Sequence, residues 1–120
     1  MELDHTIVHV SDKEASARFY TRVLGLEYRG ASDTQSFVRV NDALLMRFDE
    51  RKQTHAHYAF HVSDEEFDAT LARVAEEGAT YGSSARADDM AWADRDGGRR
   101  AYFKDPDGNS IEILTASQQI

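Results

Sequence analysis

The sequence predicts an α+β fold built from two βαβββ repeats joined by a polar connector. Three observations carry this expectation. First, His5-Thr-Ile-Val-His-Val-Ser-Asp-Lys-Glu14 returns as His57-Tyr-Ala-Phe-His-Val-Ser-Asp-Glu-Glu66, with six of ten positions identical at an offset of 52. Second, both copies pass from strand-like alternation straight into a Ser-x-x-Glu capping box. Third, each helical pattern is followed by strand-rich sequence broken by turn residues.

The elements follow in order. Residues 5–10 place His5, Ile7 and His9 on one face and Thr6, Val8 and Val10 on the other, which is a strand signature. Ser11-x-x-Glu14 opens a helix at about Asp12 that runs to Leu24, with Ala15, Phe19, Tyr20 and Val23 near helical spacing and Gly25 as C-cap. Residues 36–40 and 43–48 read as strands flanking Asn41-Asp42, a two-residue hairpin signal. The polar stretch 49–56 is the connector, so the first module covers about 1–49 and the second about 56–116. In the second module, 57–62 is a strand and Ser63-x-x-Glu66 caps a helix to about Glu77. That helix presents Phe67, Leu71 and Val74, and Gly78 ends it. Residues 83–99, rich in Ser, Asp, Arg and Gly, read as a long loop or weak strand. Residues 100–104 and 110–114 are strands around the turn Asp105-Pro-Asp-Gly108.

Composition narrows the function. The chain has 120 residues, 41% of them hydrophobic, enough for one compact domain or two small halves sharing a core. No apolar run approaches 18 residues and the first strand starts almost at once, so neither a transmembrane span nor a signal peptide is expected. Cysteine is absent, which removes disulfides, thiolate nucleophiles and cysteine-type zinc sites. A formal charge of -8 disfavours nucleic acid as a partner. A cytoplasmic protein acting on a small molecule, with no membrane partner, fits these constraints.

The repeated unit also carries four of the chain's five histidines. His5 and His9 face the same way on one strand but lie about 13 Å apart at 3.3 Å per residue, too far for one ion whose bonds are near 2 Å. The same holds for His57 and His61. A shared ion therefore takes one histidine from each copy: His5 with His57, or His9 with His61. Glu112, in the otherwise apolar run Ile111-Glu-Ile113, supplies a third ligand if it is buried, because a cation offsets the cost of burying a carboxylate. An edge strand with Glu112 in water is the competing reading.

His5 opening the first strand, His57-Tyr-Ala-Phe opening the second copy, and Tyr102-Phe-Lys-Asp-Pro-Asp-Gly-Asn-Ser-Ile-Glu112 together resemble the vicinal oxygen chelate superfamily. It includes glyoxalase I, fosfomycin-resistance enzymes, bleomycin-binding proteins, methylmalonyl-CoA epimerase and extradiol dioxygenases. The resemblance implies paired βαβββ modules forming a curved, mixed eight-stranded cleft. It also implies His5, His57 and Glu112 as ligands of one divalent metal per site (Fe, Mn, Ni, Zn or Co). The fourth family position falls near Met46, a poor ligand for a hard divalent ion, which leaves a two-histidine, one-carboxylate site open to substrate. The resemblance further implies a homodimer whose sites are shared, with His5 from one chain and His57 with Glu112 from the other.

The shared chemistry of the superfamily is chelation of adjacent substrate oxygens by the metal acting as a Lewis acid. Tyr102 matches a tyrosine found in extradiol dioxygenases and fosfomycin transferases, and the resemblance makes it the candidate catalytic residue, a hydrogen-bond or proton donor if its ring faces the cleft. His9 and His61 are candidates for supporting donors behind the ligands. Trp92, alone in a polar loop, and Met46 are candidate substrate contacts. Fosfomycin inactivation is disfavoured because Ile7 stands where those enzymes place Thr or Cys. Glyoxalase I itself is disfavoured by Met46. A metalloenzyme of dioxygenase, lyase, isomerase or transferase type is the leading expectation. A bleomycin-resistance-type binding protein is the alternative.

Overall fold

A computed structural model describes residues 1–52 and 54–118. The chain divides into two compact units: Met1–Ala56 with Asp105–Asp107, and His57–Lys104 with Gly108–Ile120.

In the first unit the order is β1 (His5–His9), α1 (Lys13–Leu24), β2 (Glu27–Ala31), β3 (Gln35–Arg39) and β4 (Leu45–Asp49). The sheet runs β1-β4-β3-β2, with β1 parallel to β4 and the other pairs antiparallel. Strand alternation puts Val8, Val38, Met46 and Phe48 in the core beside α1, whose Ala17, Tyr20 and Val23 are buried. Tyr20 packs 4.7 Å from Phe48, ring centre to ring centre. Its hydroxyl donates to Asp105 Oδ2 at 2.9 Å, so the buried phenol is not left unsatisfied. The helix starts one residue later than the Ser11 box predicts. Asp12 is the N-cap, accepting from the Glu14 and Ala15 amides at 3.0 Å. Ser11 instead donates its amide to Asp107 Oδ1. Gly25, at φ 71, ends α1 in the left-handed region as expected.

The second unit repeats the plan: β5 (His57–His61), α2 (Asp64–Glu76), β6 (Ala93–Arg95), β7 (Gly98–Lys104) and β8 (Ser110–Leu114). The sheet runs β5-β8-β7-β6, again with one parallel pair, β5 with β8. Both arms of the Ser63–Glu66 capping box are formed. Phe67, Leu71 and Val74 of α2 are buried, as are Ala101, Phe103, Ile111 and Ile113 of the sheet. Residues 83–99 hold β6 and the start of β7, closed by Asp96-Gly97. Both of these have positive φ (53 and 81), which a type I′ hairpin turn requires.

The βαβββ order predicted for each half is observed, in an α+β arrangement of two four-stranded mixed sheets. One connection differs. The β3–β4 strands part at Arg39 and Leu45, not around Asn41-Asp42 alone, because Asn41 Oδ1 captures the Ala43 and Leu44 amides and opens a wider loop.

Candidate metal centre

The centre is built on the face of the second sheet that alternation turns away from Ile111 and Ile113. On this face Ala59 lies opposite Glu112, His57 opposite Ser110, and Tyr102 opposite Glu112. Glu112 is not an edge residue, because β8 lies between β5 and β7 and its side chain is only 9% exposed. His57 Nε2 meets Glu112 Oε1 at 3.1 Å. The second oxygen, Oε2, accepts from Arg100 Nη1 at 3.2 Å, and Arg100 Nη2 donates to Asp96 Oδ2 at 2.8 Å. Tyr102 sits beside the pair, with ring centroids 6.5 Å from His57.

These residues suit a divalent cation on two counts. Two ligands at right angles on one ion, each bonded at about 2.1 Å, lie about 3.0 Å apart. The 3.1 Å separation of Nε2 and Oε1 is therefore one a shared ion can span. One buried oxygen on the same face, Ser110 Oγ, also lacks a partner among the described residues. Buried polar groups are rarely left so unless something polar completes them.

The predicted residues separate into those the sheet gathers and those it does not. His57, Glu112 and Tyr102 come together. His5 lies on β1 of the first unit, its Nδ1 2.9 Å from Asp4 Oδ2. Among the described residues no three His, Asp or Glu side chains converge as one cluster. His61, opposite Leu114, donates from Nε2 to the Thr115 carbonyl at 3.3 Å and does not touch the pair. His9 lies opposite Asp49, with Nδ1 buried and unpartnered among the described residues.

Of the two predicted substrate contacts, one is buried and the other lies beside α2. Met46 is 1% exposed and points into the first unit's core with Phe48, so it faces no substrate. The register counterpart of Glu112 is Arg47: Ile7 pairs with Arg47 as Ala59 pairs with Glu112. Trp92 packs edge-on to Phe67 of α2, centroids 6.3 Å apart. The Arg99 guanidinium lies 4.3 Å from the Phe67 ring centre and 5.1 Å from that of Trp92. Arg99 is fixed there by Asp64 and Asp68, on the α2 side and not on the face of Glu112. Arg100, the first residue of the strand read over 100–104, is the one that sequence reasoning did not place at the site. Its strand position two before Tyr102 was the available signal.

Comparison with known proteins identifies the family. An oxidase, ChaP-H2, has a solved structure that superposes with a TM-score of 0.89 at 38% identity, covering 98% of this chain and 94% of that one. The glutathione transferase FosA of Serratia marcescens is 28% identical over 123 residues, covering 96% of this chain and 81% of that protein. The metallothiol transferase FosB of Lysinibacillus sphaericus is 27% identical, covering 98% and 84%. These relatives are enzymes. The family model described as Glyoxalase/Bleomycin resistance protein/Dioxygenase superfamily matches residues 2–113. The chain belongs to that superfamily.

Proposed function

We propose that this protein is a divalent-metal-dependent enzyme that chelates a small, oxygen-rich substrate. The observation that carries the reading is the His57–Glu112 pair: a half-exposed imidazole nitrogen 3.1 Å from a buried carboxylate oxygen. His57 and Glu112 hold the ion, and His5 completes the set from the partner chain of a homodimer. When bound, the metal supplies Lewis-acid activation of two adjacent substrate oxygens. The chain's own residues do the rest. Arg100 fixes the Glu112 carboxylate through Oε2, leaving Oε1 toward His57. Tyr102 presents a phenol beside the imidazole, where it orients a substrate hydroxyl or exchanges a proton with it. Among the chemistries open to the superfamily, oxidation is favoured by the 38% identity to an oxidase across 98% of the chain.

One observation supports a second reading, a binding protein that sequesters a drug or natural product. Both oxygens of Glu112 are already engaged, by His57 and Arg100, so the carboxylate is satisfied without an ion. Anaerobic reconstitution with Fe(II) or Mn(II), followed by oxygen-uptake assays on a catechol, thiol and 2-oxoaldehyde panel, separates the two. Stoichiometric metal with turnover supports the enzyme. No metal uptake, with tight binding of an unmodified ligand, supports the binder.

A further inference from the structure

The first unit carries its own built face. On it Arg47 lies opposite Ile7 and Phe37, and His5 lies two residues from Ile7 on the same side of β1. Arg47 Nε donates to Gln35 Oε1 at 2.9 Å. Gln35 cannot turn its amide around, because its Nε2 donates to the buried Asp49 at 2.7 Å. Asp49 is itself gripped by Arg51. The guanidinium is also stacked over the Phe37 ring, 5.1 Å from its centre. One edge and one face of Arg47 are thus occupied, and no carboxylate pairs with it among the described residues. The Nη1/Nη2 end of the fork is left unpaired, half-buried and held in a fixed plane. A planar anion with two oxygens matches that end, since guanidinium and carboxylate pair in plane through parallel hydrogen bonds.

We propose that Arg47 is a substrate-recognition residue whose Nη1/Nη2 edge receives a carboxylate on the substrate. This names a substrate class for the site proposed above, and it rests on that reading for its role in the reaction.

The test is a titration of metal-free, 15N-labelled protein with benzoate and with its neutral analogue benzamide, followed by the Arg47 Nε–Hε resonance and by calorimetry. Benzoate is expected to saturate the site and move that resonance, with benzamide at least about tenfold weaker. Arg47→Gln is expected to weaken benzoate by about 10- to 100-fold, the range for a lost charge-assisted pair, and to leave benzamide unchanged. Gln35→Met, which keeps the charge and removes the orienting amide, is expected to weaken benzoate several-fold, as is Arg47→Lys. Equal binding of benzoate and benzamide would overturn the proposal. So would wild-type benzoate affinity in Arg47→Gln or, should that variant not fold, in both Arg47→Lys and Gln35→Met. Because no metal is present, failure here leaves the metal reading standing, and loss of metal binding in His57→Ala leaves this result intact.

Discussion

The two units place different chemistry on equivalent rungs of two like sheets. Where the second unit sets Glu112 between Ala59 and Tyr102, the first sets Arg47 between Ile7 and Phe37. Where Arg100 grips the carboxylate of the second unit, Gln35 orients the guanidinium of the first. The histidines of the leading strands keep the same residue in both, His5 with His57 and His9 with His61. Duplication preserved the core-facing positions, which set the fold. The opposite face differs, presenting the Glu112 carboxylate in one copy and the Arg47 guanidinium in the other. In each, a side chain that alternation turns away from the core is oriented by a polar neighbour on the next strand. This is how a scaffold fixes a functional group to within fractions of an ångström.

The comparison can be broken most severely by separating the halves of the proposed shared site. His5→Ala and Glu112→Ala homodimers should each lose stoichiometric metal. Mixed and reassorted, they should recover about a quarter of the sites, because each heterodimer rebuilds one intact site and doubles the damage at the other. No recovery would place His5 outside a shared site.

Arg100→Met comes next. It leaves Glu112 buried without its guanidinium, a loss of about 3–5 kcal/mol for a buried pair broken on one side. A divalent cation should restore part of that stability in thermal melts, since the ion neutralises the same carboxylate. Arg47→Met should cost far less and respond to no metal, because Arg47 has no carboxylate to strand.

The helix caps test the shared scaffold. Ser63→Ala and Asp12→Ala should each cost about 1 kcal/mol in chemical denaturation. Ser63→Ala removes the hydroxyl but keeps the Ser63 amide, which is the larger of the two groups that hold the Glu66 carboxyl below its ordinary value.

The smallest effect concerns pH. The Arg51 guanidinium, helped by Gln35, holds the Asp49 carboxyl well below its usual value of 3.8. A lowered folded-state value means that Asp49 contributes stability above about pH 3.8, and that this contribution fades as pH falls toward the folded value. Wild type should therefore exceed Asp49→Asn in stability at neutral pH and converge with it in acid, as read from melting temperatures across a pH series.

Much of the fold was legible because the repeat shows each signal twice: the His-led strands, the Ser63 box, the Gly25 and Gly78 stops. His57, Glu112 and Tyr102 were singled out by the family resemblance rather than by the repeat, and the sheet brings these three side chains together. What failed was register. A two-residue turn at Asn41-Asp42 would pair Val40 with Ala43 and so set Met46 opposite Phe37. The observed Arg39–Leu45 pairing sets Arg47 there instead. Side chains alternate with a period of two, so this one-residue slip exchanges the faces, sending Met46 to the core and Arg47 to the functional side. The surroundings of Trp92 were not legible for another reason. A lone tryptophan in polar sequence suggests a ligand contact, but here its partners, Phe67 and Arg99, are distant in sequence and reach it only through the packing of α2. Asp96-Gly97 was an available hairpin signal inside the segment read as loop, and recognising it would have extended the 100–104 strand back to Gly98 and paired it with β6.

The central claim is that His57 and Glu112 hold a divalent metal. Its most direct test is elemental analysis of anaerobically reconstituted, desalted protein. The account predicts one divalent ion per chain in wild type, and essentially none in His57→Ala and Glu112→Ala at unchanged fold by circular dichroism. Equal metal content in wild type and both variants, or none in any of the three, would contradict it.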